Sequence, residues 1–473
     1  MNRTTPQKKF ALRRVNSGSE PSIPTPAGVC NIEENFPVVP SAVIQRIKQQ
    51  VKHLGLRRTD RQRSAKLVNH FREKLLDYLK NSEQPAFRSV TVLNSGSYYE
   101  MVKINEPNEF DMMLLLPTPR LTWTELEEYH GVHYSVSLTR PTRSEIRAFL
   151  LDDELTISAT RILKEMRSLV KKFISTYKVP DEASRWVLNR KRPSSPAVTL
   201  TLMWKETEAD EAVEELLSLD VVPALEVPRS QSWPLAARTG LKVDNWLGKK
   251  TRRDLTSQAF YFVPKKPAGR NLSDAAKESW RISFSHIEKE IIKNHGQSRT
   301  CCEGYASKCC RKRCLMLLKC LIEGLKVQFP EALERLCSYH GKTTFLHTLS
   351  IRGNDSQWAP HNLASCFMTL LLALEGHACS GSLPHFFIPG CNLFAAPAFP
   401  RKALIFLQRA LEEQKKQGLP LLQLPSPAPP LTLNPITPHP EPCTQGGFSR
   451  ARIIASIVAL VFCFLLVVAF LVR

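Results

Sequence analysis

Apolar residues recur at helical spacing from about Pro40 towards Leu79, where Val43, Ile44, Ile47, Val51, Leu54, Leu67, Val68, Phe71, Leu75, Leu76 and Leu79 share one face. The pattern predicts one long helix whose opposite face carries Lys48, Lys52, Arg57, Arg58, Arg61, Arg63 and Lys66. Beyond it the period shortens to alternation. Residues 90–93 read as one short strand; Phe110, Asp111, Met112 and Leu114 read as a second, within the apolar stretch 112–116. Strand-like runs return at 196–202, 219–225, 260–263 and 280–285. Pro223 has no amide to give to a ladder, so the 219–225 strand is expected to be short or at an edge. The acidic residues 206–215 ahead of it predict a surface excursion. From residue 286 the pattern is mostly helical, with helices expected over 286–294, 315–327, 345–351 and 366–374.

The two ends are patterned differently. Residues 1–38 are polar, basic and Pro-containing, which predicts a disordered tail. Residues 416–449 are Pro-rich and predict an extended linker without a core. They lead to 453–472, twenty residues in which Ser456 and Cys463 are the only mildly polar ones. At about 1.5 Å per residue such a helix spans about 30 Å, a bilayer core. Arg450 and Arg452 on one side and Arg473 on the other complete a C-terminal membrane anchor, which leaves the rest of the chain facing the cytosol.

Charge and cysteine usage narrow the partners. Lys and Arg number 65 against 44 Asp and Glu, a net charge of +21, which points to a polyanion: nucleic acid or an acidic membrane surface. No apolar leader opens the chain, so its cysteines are expected in a reducing compartment, which favours metal binding over disulfides. Six of the 13 cysteines fall between Cys301 and Cys320. With His295, the adjacent pairs Cys301-Cys302 and Cys309-Cys310 offer the one His and three Cys of a tetrahedral structural zinc site, with reduced core cysteines as the alternative. Arg299, Lys308, Arg311, Lys312 and Arg313 would make any such loop a basic knob.

The candidate chemistry lies in the first strand pair. Glu109 and Asp111 are two apart on a strand, so both carboxylates share a face and repel unless a cation sits between them. The small-residue turn Asn94-Ser95-Gly96-Ser97 offers backbone N–H groups and hydroxyls to a phosphate. Asp220 places a third carboxylate in a strand. A phosphate cradle beside paired metal-binding acids suggests nucleotidyl transfer.

These stretches, residues 94–100 and 107–111, the run 280–290, the His295 to Cys310 spacing and Asp355 to Trp358, resemble the cyclic GMP-AMP synthase family in the same order over roughly residues 40–415. The resemblance implies an α+β, bilobal nucleotidyltransferase fold. Its core lobe, 39–235, would hold a mixed sheet and the long spine helix, and a mostly helical lobe, 236–415, would carry a zinc loop at 295–310. It further implies that Glu109, Asp111 and Asp220 bind two Mg²⁺ (or Mn²⁺) ions, while Ser95, Gly96 and Ser97 hold the donor phosphates. Lys319 and Ser338 would contact phosphate, Arg281, Ser283, Ser285 and Glu288 would read purine edges, and Tyr339 would stack on a base. Lys265 and Lys342 match nucleotide-contacting positions, and His295, Cys301, Cys302 and Cys309 would bind Zn²⁺. Arg58, Arg61, Lys308, Lys312 and Arg313 would face double-stranded DNA, on which a homodimer can assemble. The implied activity is DNA-activated synthesis of cyclic GMP-AMP from ATP and GTP in innate immune signalling. Activation by double-stranded RNA, or a membrane-anchored nucleic-acid binder with little turnover, are the alternatives. Val222 and Pro223 after the third acid, Met316 in place of a basic residue, the 206–215 insertion and the C-terminal anchor depart from the family pattern.

Overall fold

The computed structural model describes residues 37–104, 108–180, 184–193, 195–204, 214–298, 301–302, 308–396 and 398–422. The expected tail, most of the acidic excursion, most of the linker and the 453–472 span lie outside them. The strands are β1 (Thr91–Ser95), β2 (Glu109–Leu116), β3 (Leu121–Glu125), β4 (His133–Leu138), β5 (Ser184–Leu188), β6 (Val198–Trp204), β7 (Glu214–Val227), β8 (Phe260–Val263) and β9 (Trp280–Ser283). The first helices are α1 (Ser41–His53), α2 (Arg58–Lys80), the single turn α3 (Gly96–Tyr99), α4 (Ala159–Thr176), α5 (Leu235–Arg238) and α6 (Gly248–Thr256). Then come α7 (Asp274–Lys277), α8 (Ser285–Lys293), α9 (Arg311–Gln328), α10 (Ser338–Ile351), α11 (Leu363–Ser380) and α12 (Arg401–Lys416).

All nine strands join one mixed sheet in the order β1-β2-β7-β8-β9-β4-β3, with β5 and β6 branching from β7. The β2–β7 pair is the parallel one among the described strands. Alternation on β2 divides the sheet's faces. Phe110, Met112, Leu114 and Leu116 enter the main core, while Met113 and Leu115 join a small apolar patch with Ala224, Tyr261 and Val263. Asp111 lies on the Met113 side. β8 and β9 come from beyond residue 235, so the sheet continues past the point where the helical lobe was expected to begin. One continuous core runs from the sheet to α9, α10, α11 and α12.

Three expectations are corrected. The long helix is two, broken at residues 54–57, where Gly55 lies exposed and Leu54 turns into the core. The break lets α1 pack on α9 and α11 while α2 packs on α4, where Phe71 meets Phe173 and Trp186. The strand carrying Asp220 is neither short nor at an edge: β7 has fourteen residues and pairs with β2, β6 and β8. The Ser218 amide bonds to Asn108 on the β2 side, so alternate amides, including the one that Pro223 lacks, face the other way. On that side β6 stops at Val221 and β8 starts at Leu225, so Pro223 falls where no ladder needs its N–H. The acidic excursion is also shorter than expected, because Glu214 and Glu215 already belong to β7.

One described helix, Pro360–Ser380, is long and apolar enough to cross a membrane, and half of it is buried within the protein.

Candidate active site and metal loop

Strand register sets the acidic centre. Ser95 pairs with Asp111, Asp111 with Asp220, and Asp220 with Thr199, a row across β1, β2, β7 and β6. Thr199 Oγ1 donates to Asp220 Oδ1 at 2.6 Å, which orients the third acid. Burial and then repulsion from Asp220 push the Asp111 carboxyl up to about 6. Gly96 lies against Asp111 so closely that a Cβ there would fall 1.9 Å from Asp111 Oδ2, and its φ of +84° suits glycine. The turn and the acid are therefore built as one unit. Glu109 acts on Asp111 through its charge, less strongly than Asp220 does. It is exposed, and Lys103 holds its carboxylate at 2.5 Å, so the three acids do not form a tight ligand group among the described residues.

The residues expected to touch nucleotide divide between two places. Lys265, Arg281, Ser283, Ser285, Glu288 and Tyr339 line one cavity of about 190 Å³, joined there by His385. Ser285 Oγ lies 3.4 Å from Met113 Sδ, which puts the start of α8 over the face that carries Asp111. Arg281, and then burial, lower the Lys265 ammonium to about 8. Ser338, exposed at the start of α10, is not among the lining residues. Lys319 is buried behind the turn, its ammonium donating to the Val102 carbonyl at 3.0 Å and lowered to about 8 chiefly by burial. Lys342 donates to Glu100 at 2.7 Å and Glu288 at 3.0 Å, tying the end of α3 to α8 and α10. Nothing local in the sequence singles out Glu100, Thr199 or His385, each of which acts through a partner distant along the chain, nor Lys103, whose partner Glu109 is six residues on.

His295 and three cysteines converge as expected. The four ligand atoms lie within 4.8 Å of one another. Cys301 to Cys302 is 3.8 Å, Cys302 to Cys309 3.6 Å, and His295 Nε2 lies 3.2 Å from Cys309 and 3.6 Å from Cys302. His295 Nδ1–H donates to the Ile292 carbonyl at 2.8 Å, which leaves the Nε2 lone pair facing the sulfurs. Burial, and then its neighbouring thiols, push the Cys301 thiol far upward. Cys310 is buried and points away from the set. Asp355 accepts the amides of Gln297 and Ser298 at 3.0 Å and pairs with Arg311 at 2.8 Å, so it anchors the loop's first limb. Arg311 is thus not part of a basic knob. It is fully buried, over the ring of Trp358 at 5.5 Å.

A cleft of about 870 Å³ is lined by Lys48, Lys52, Arg61, Lys103, Lys308 and Arg313, with Tyr98 and Met101 among its walls. Arg58 is exposed on α2 and Lys312 half-buried on α9; neither lines the cleft.

Residues 98–294 match the Mab-21 protein nucleotidyltransferase domain, and residues 310–413 the Mab-21 protein HhH/H2TH-like domain. The chain is 39% identical over 378 residues to the cyclic GMP-AMP synthase of Mus musculus, covering 80% of this chain and 70% of that protein. It is also 39% identical over 381 residues to the cyclic GMP-AMP synthase of Sus scrofa, covering 80% and 72%. A cyclic GMP-AMP synthase-like receptor of Magallana gigas is 24% identical over 336 residues, covering 68% of this chain and 50% of that protein.

Proposed function

The chain belongs to the Mab-21 nucleotidyltransferases, as a cyclic GMP-AMP synthase-like enzyme of innate immune signalling, and from that premise we propose that it joins ATP and GTP into cyclic GMP-AMP when double-stranded DNA docks on its basic cleft. The observation that carries this reading is the row Ser95, Asp111, Asp220 and Thr199, with Gly96 pressed on Asp111. Asp111 and Asp220 suit divalent ions, because adjacent half-buried carboxylates repel without one, and their all-oxygen chemistry fits Mg²⁺ or Mn²⁺. Such ions, when bound, activate the attacking ribose hydroxyl and stabilise the charge of the triphosphate and departing pyrophosphate. The turn at Ser95, Gly96 and Ser97 directs phosphate towards the acids. Arg281, Ser283, Ser285 and Tyr339 hold the base in the smaller cavity.

Lys103 links the cleft to the acids, since it lines the one and holds Glu109 of the other. A DNA phosphate that captures Lys103 releases Glu109 to join Asp111 and Asp220. Contacts in the cleft are to phosphate, so binding weakens with salt and ignores base sequence. Two copies can assemble on one duplex, each presenting this cleft. The test of the activator is product formation by the full chain with ATP, GTP and Mg²⁺ beside either duplex DNA or duplex RNA. DNA alone is expected to stimulate; equal stimulation by RNA would overturn the DNA assignment.

The Cys/His set is assigned to Zn²⁺. Tetrahedral zinc with bonds of about 2.3 Å to sulfur and about 2.0 Å to nitrogen needs S–S edges of about 3.8 Å and S–N edges of about 3.5 Å. The observed separations lie close to both. Zinc here fixes the loop between Lys308 and the start of α9, and so the shape of the cleft. The purified chain is expected to contain about one zinc ion, and Cys302→Ala to lose it with a lower melting temperature and weaker DNA binding. Unchanged metal content in the variant would rule out this set.

The apolar span at 453–472 is proposed to anchor the enzyme to a membrane with its catalytic part in the cytosol. Full-length and tail-deleted chains that are equally diffuse by fluorescence imaging would sink that assignment.

A further inference from the structure

His385 is buried, with 5% of its surface exposed, and lies 46 positions from Tyr339 in the sequence. Its Nδ1 accepts the backbone N–H groups of Phe387 and Ile388, each at 3.2 Å. A ring nitrogen that accepts carries no proton, so in the neutral ring the hydrogen is on Nε2. Nε2 is 2.9 Å from Tyr339 Oη. The direction of the next bond follows: Tyr339 Oη accepts from His385 and donates its own hydrogen to Glu288 Oε1 at 3.0 Å. Glu288 Oε2 in turn receives the Lys342 ammonium at 3.0 Å. Burial, and then the Arg281 charge, lower His385 to about 4, so the ring stays neutral around pH 7 and the chain of donors keeps one direction. The segment that carries His385 is itself fixed. Phe387 stacks on Phe284 at 4.7 Å and 13°, and Pro384 bridges to Asn392.

We propose that His385 is a positioning residue for nucleotide recognition, acting through the hydroxyl of Tyr339, which it orients as a donor to Glu288 so that the phenol ring is held at the wall of the base-side cavity. The proposal rests on the reading of that cavity as the nucleotide site. A tyrosine bonded at its hydroxyl from two sides cannot swing, and a stacking surface is useful only when its orientation is set before the base arrives. The family resemblance points to Tyr339 but not to the histidine that orders it.

The test compares His385→Leu, His385→Gln, Tyr339→Phe and the Leu/Phe double variant in the full chain with duplex DNA. Equilibrium affinity for GTP and ATP is the first readout, because it does not need turnover; KM and kcat are the second. His385→Leu is expected to weaken nucleotide affinity and raise KM about tenfold, with a smaller effect on kcat, as the loss of a buried hydrogen bond predicts. Gln can bring an amide N–H to the Nε2 position and is expected to restore most of the affinity. The double variant is expected to be no worse than Tyr339→Phe alone, since both changes break one link. Where His385→Leu does not fold, Tyr339→Phe breaks the same link from the other side and should show the same loss. Unchanged affinity in His385→Leu or Tyr339→Phe, failure of Gln to rescue, or additive losses would overturn the proposal. Absence of product beside intact, His385-dependent nucleotide affinity would support it and overturn only the cyclisation chemistry.

Discussion

Asp111→Asn is expected to lower the initial rate of cyclic dinucleotide formation by about a thousandfold. The substitution removes one unit of negative charge from the centre of the acid row while leaving the strand register intact. A unit charge at about 4 Å is worth about 4 kcal/mol at an effective dielectric of about 20, which corresponds to about a thousandfold in rate. Misfolding is not expected to contribute. The Asp111 carboxyl is pushed up to about 6, above its ordinary value of 3.8, so at pH 7 its ionised form opposes folding; that cost disappears as pH falls through about 6. The uncharged asparagine is therefore expected to melt no lower than the parent at neutral pH. A variant that retains a substantial rate, measured by chromatography of product under saturating nucleotide and DNA, would remove Asp111 from the chemistry.

The second large effect is expected from a single methyl group. Gly96→Ala places a Cβ 1.9 Å from Asp111 Oδ2 in a backbone conformation with φ +84°. The left-handed conformation alone costs an alanine about 1–2 kcal/mol. The carboxylate must then move, and a displacement of about 1 Å at a reacting centre can cost about a hundredfold. Rates are expected to fall by at least that factor, while duplex DNA binding, proposed for the cleft of Lys48, Arg61 and Arg313, stays within about threefold of the parent value. Parallel loss of DNA binding and rate would mean that the substitution disrupts the fold broadly, and unaltered rates would mean that the turn does not govern the acid.

Much of this site was legible because its parts are local. The E-x-D pair announces its shared face by alternation alone, and Gly96 announces a turn. One His and a cluster of cysteines mark a candidate metal loop, and the four ligand atoms do converge. Fold class was legible for the same reason, since the change from helical to alternating periods and back marks an α+β chain.

What escaped depends on partners far away in sequence. Thr199 steadies Asp220 only because β6 pairs with β7 in one register, and no local pattern encodes that choice. Pro223 argued for a weak strand, yet the sheet places its missing amide in the gap between β6 and β8. Arg311 sits in a run of basic residues that reads as surface; Asp355 and Trp358 bury it. Lys319, expected on phosphate, is buried and donates to the Val102 carbonyl, a partner 217 positions away. In each case a tertiary partner overrides what the residue type suggests.

Nucleic acid on the cleft is proposed to complete the acid site, by drawing Lys103 off Glu109 so that this carboxylate serves with Asp111 and Asp220. This coupling is tested most directly by the ratio of initial rates of cyclic dinucleotide formation with and without duplex DNA, measured on the full chain with ATP, GTP and Mg²⁺. The expected result is product with DNA, little or none without it, and a rate about a thousandfold lower from Asp111→Asn with DNA. Equal rates with and without DNA would contradict the claim.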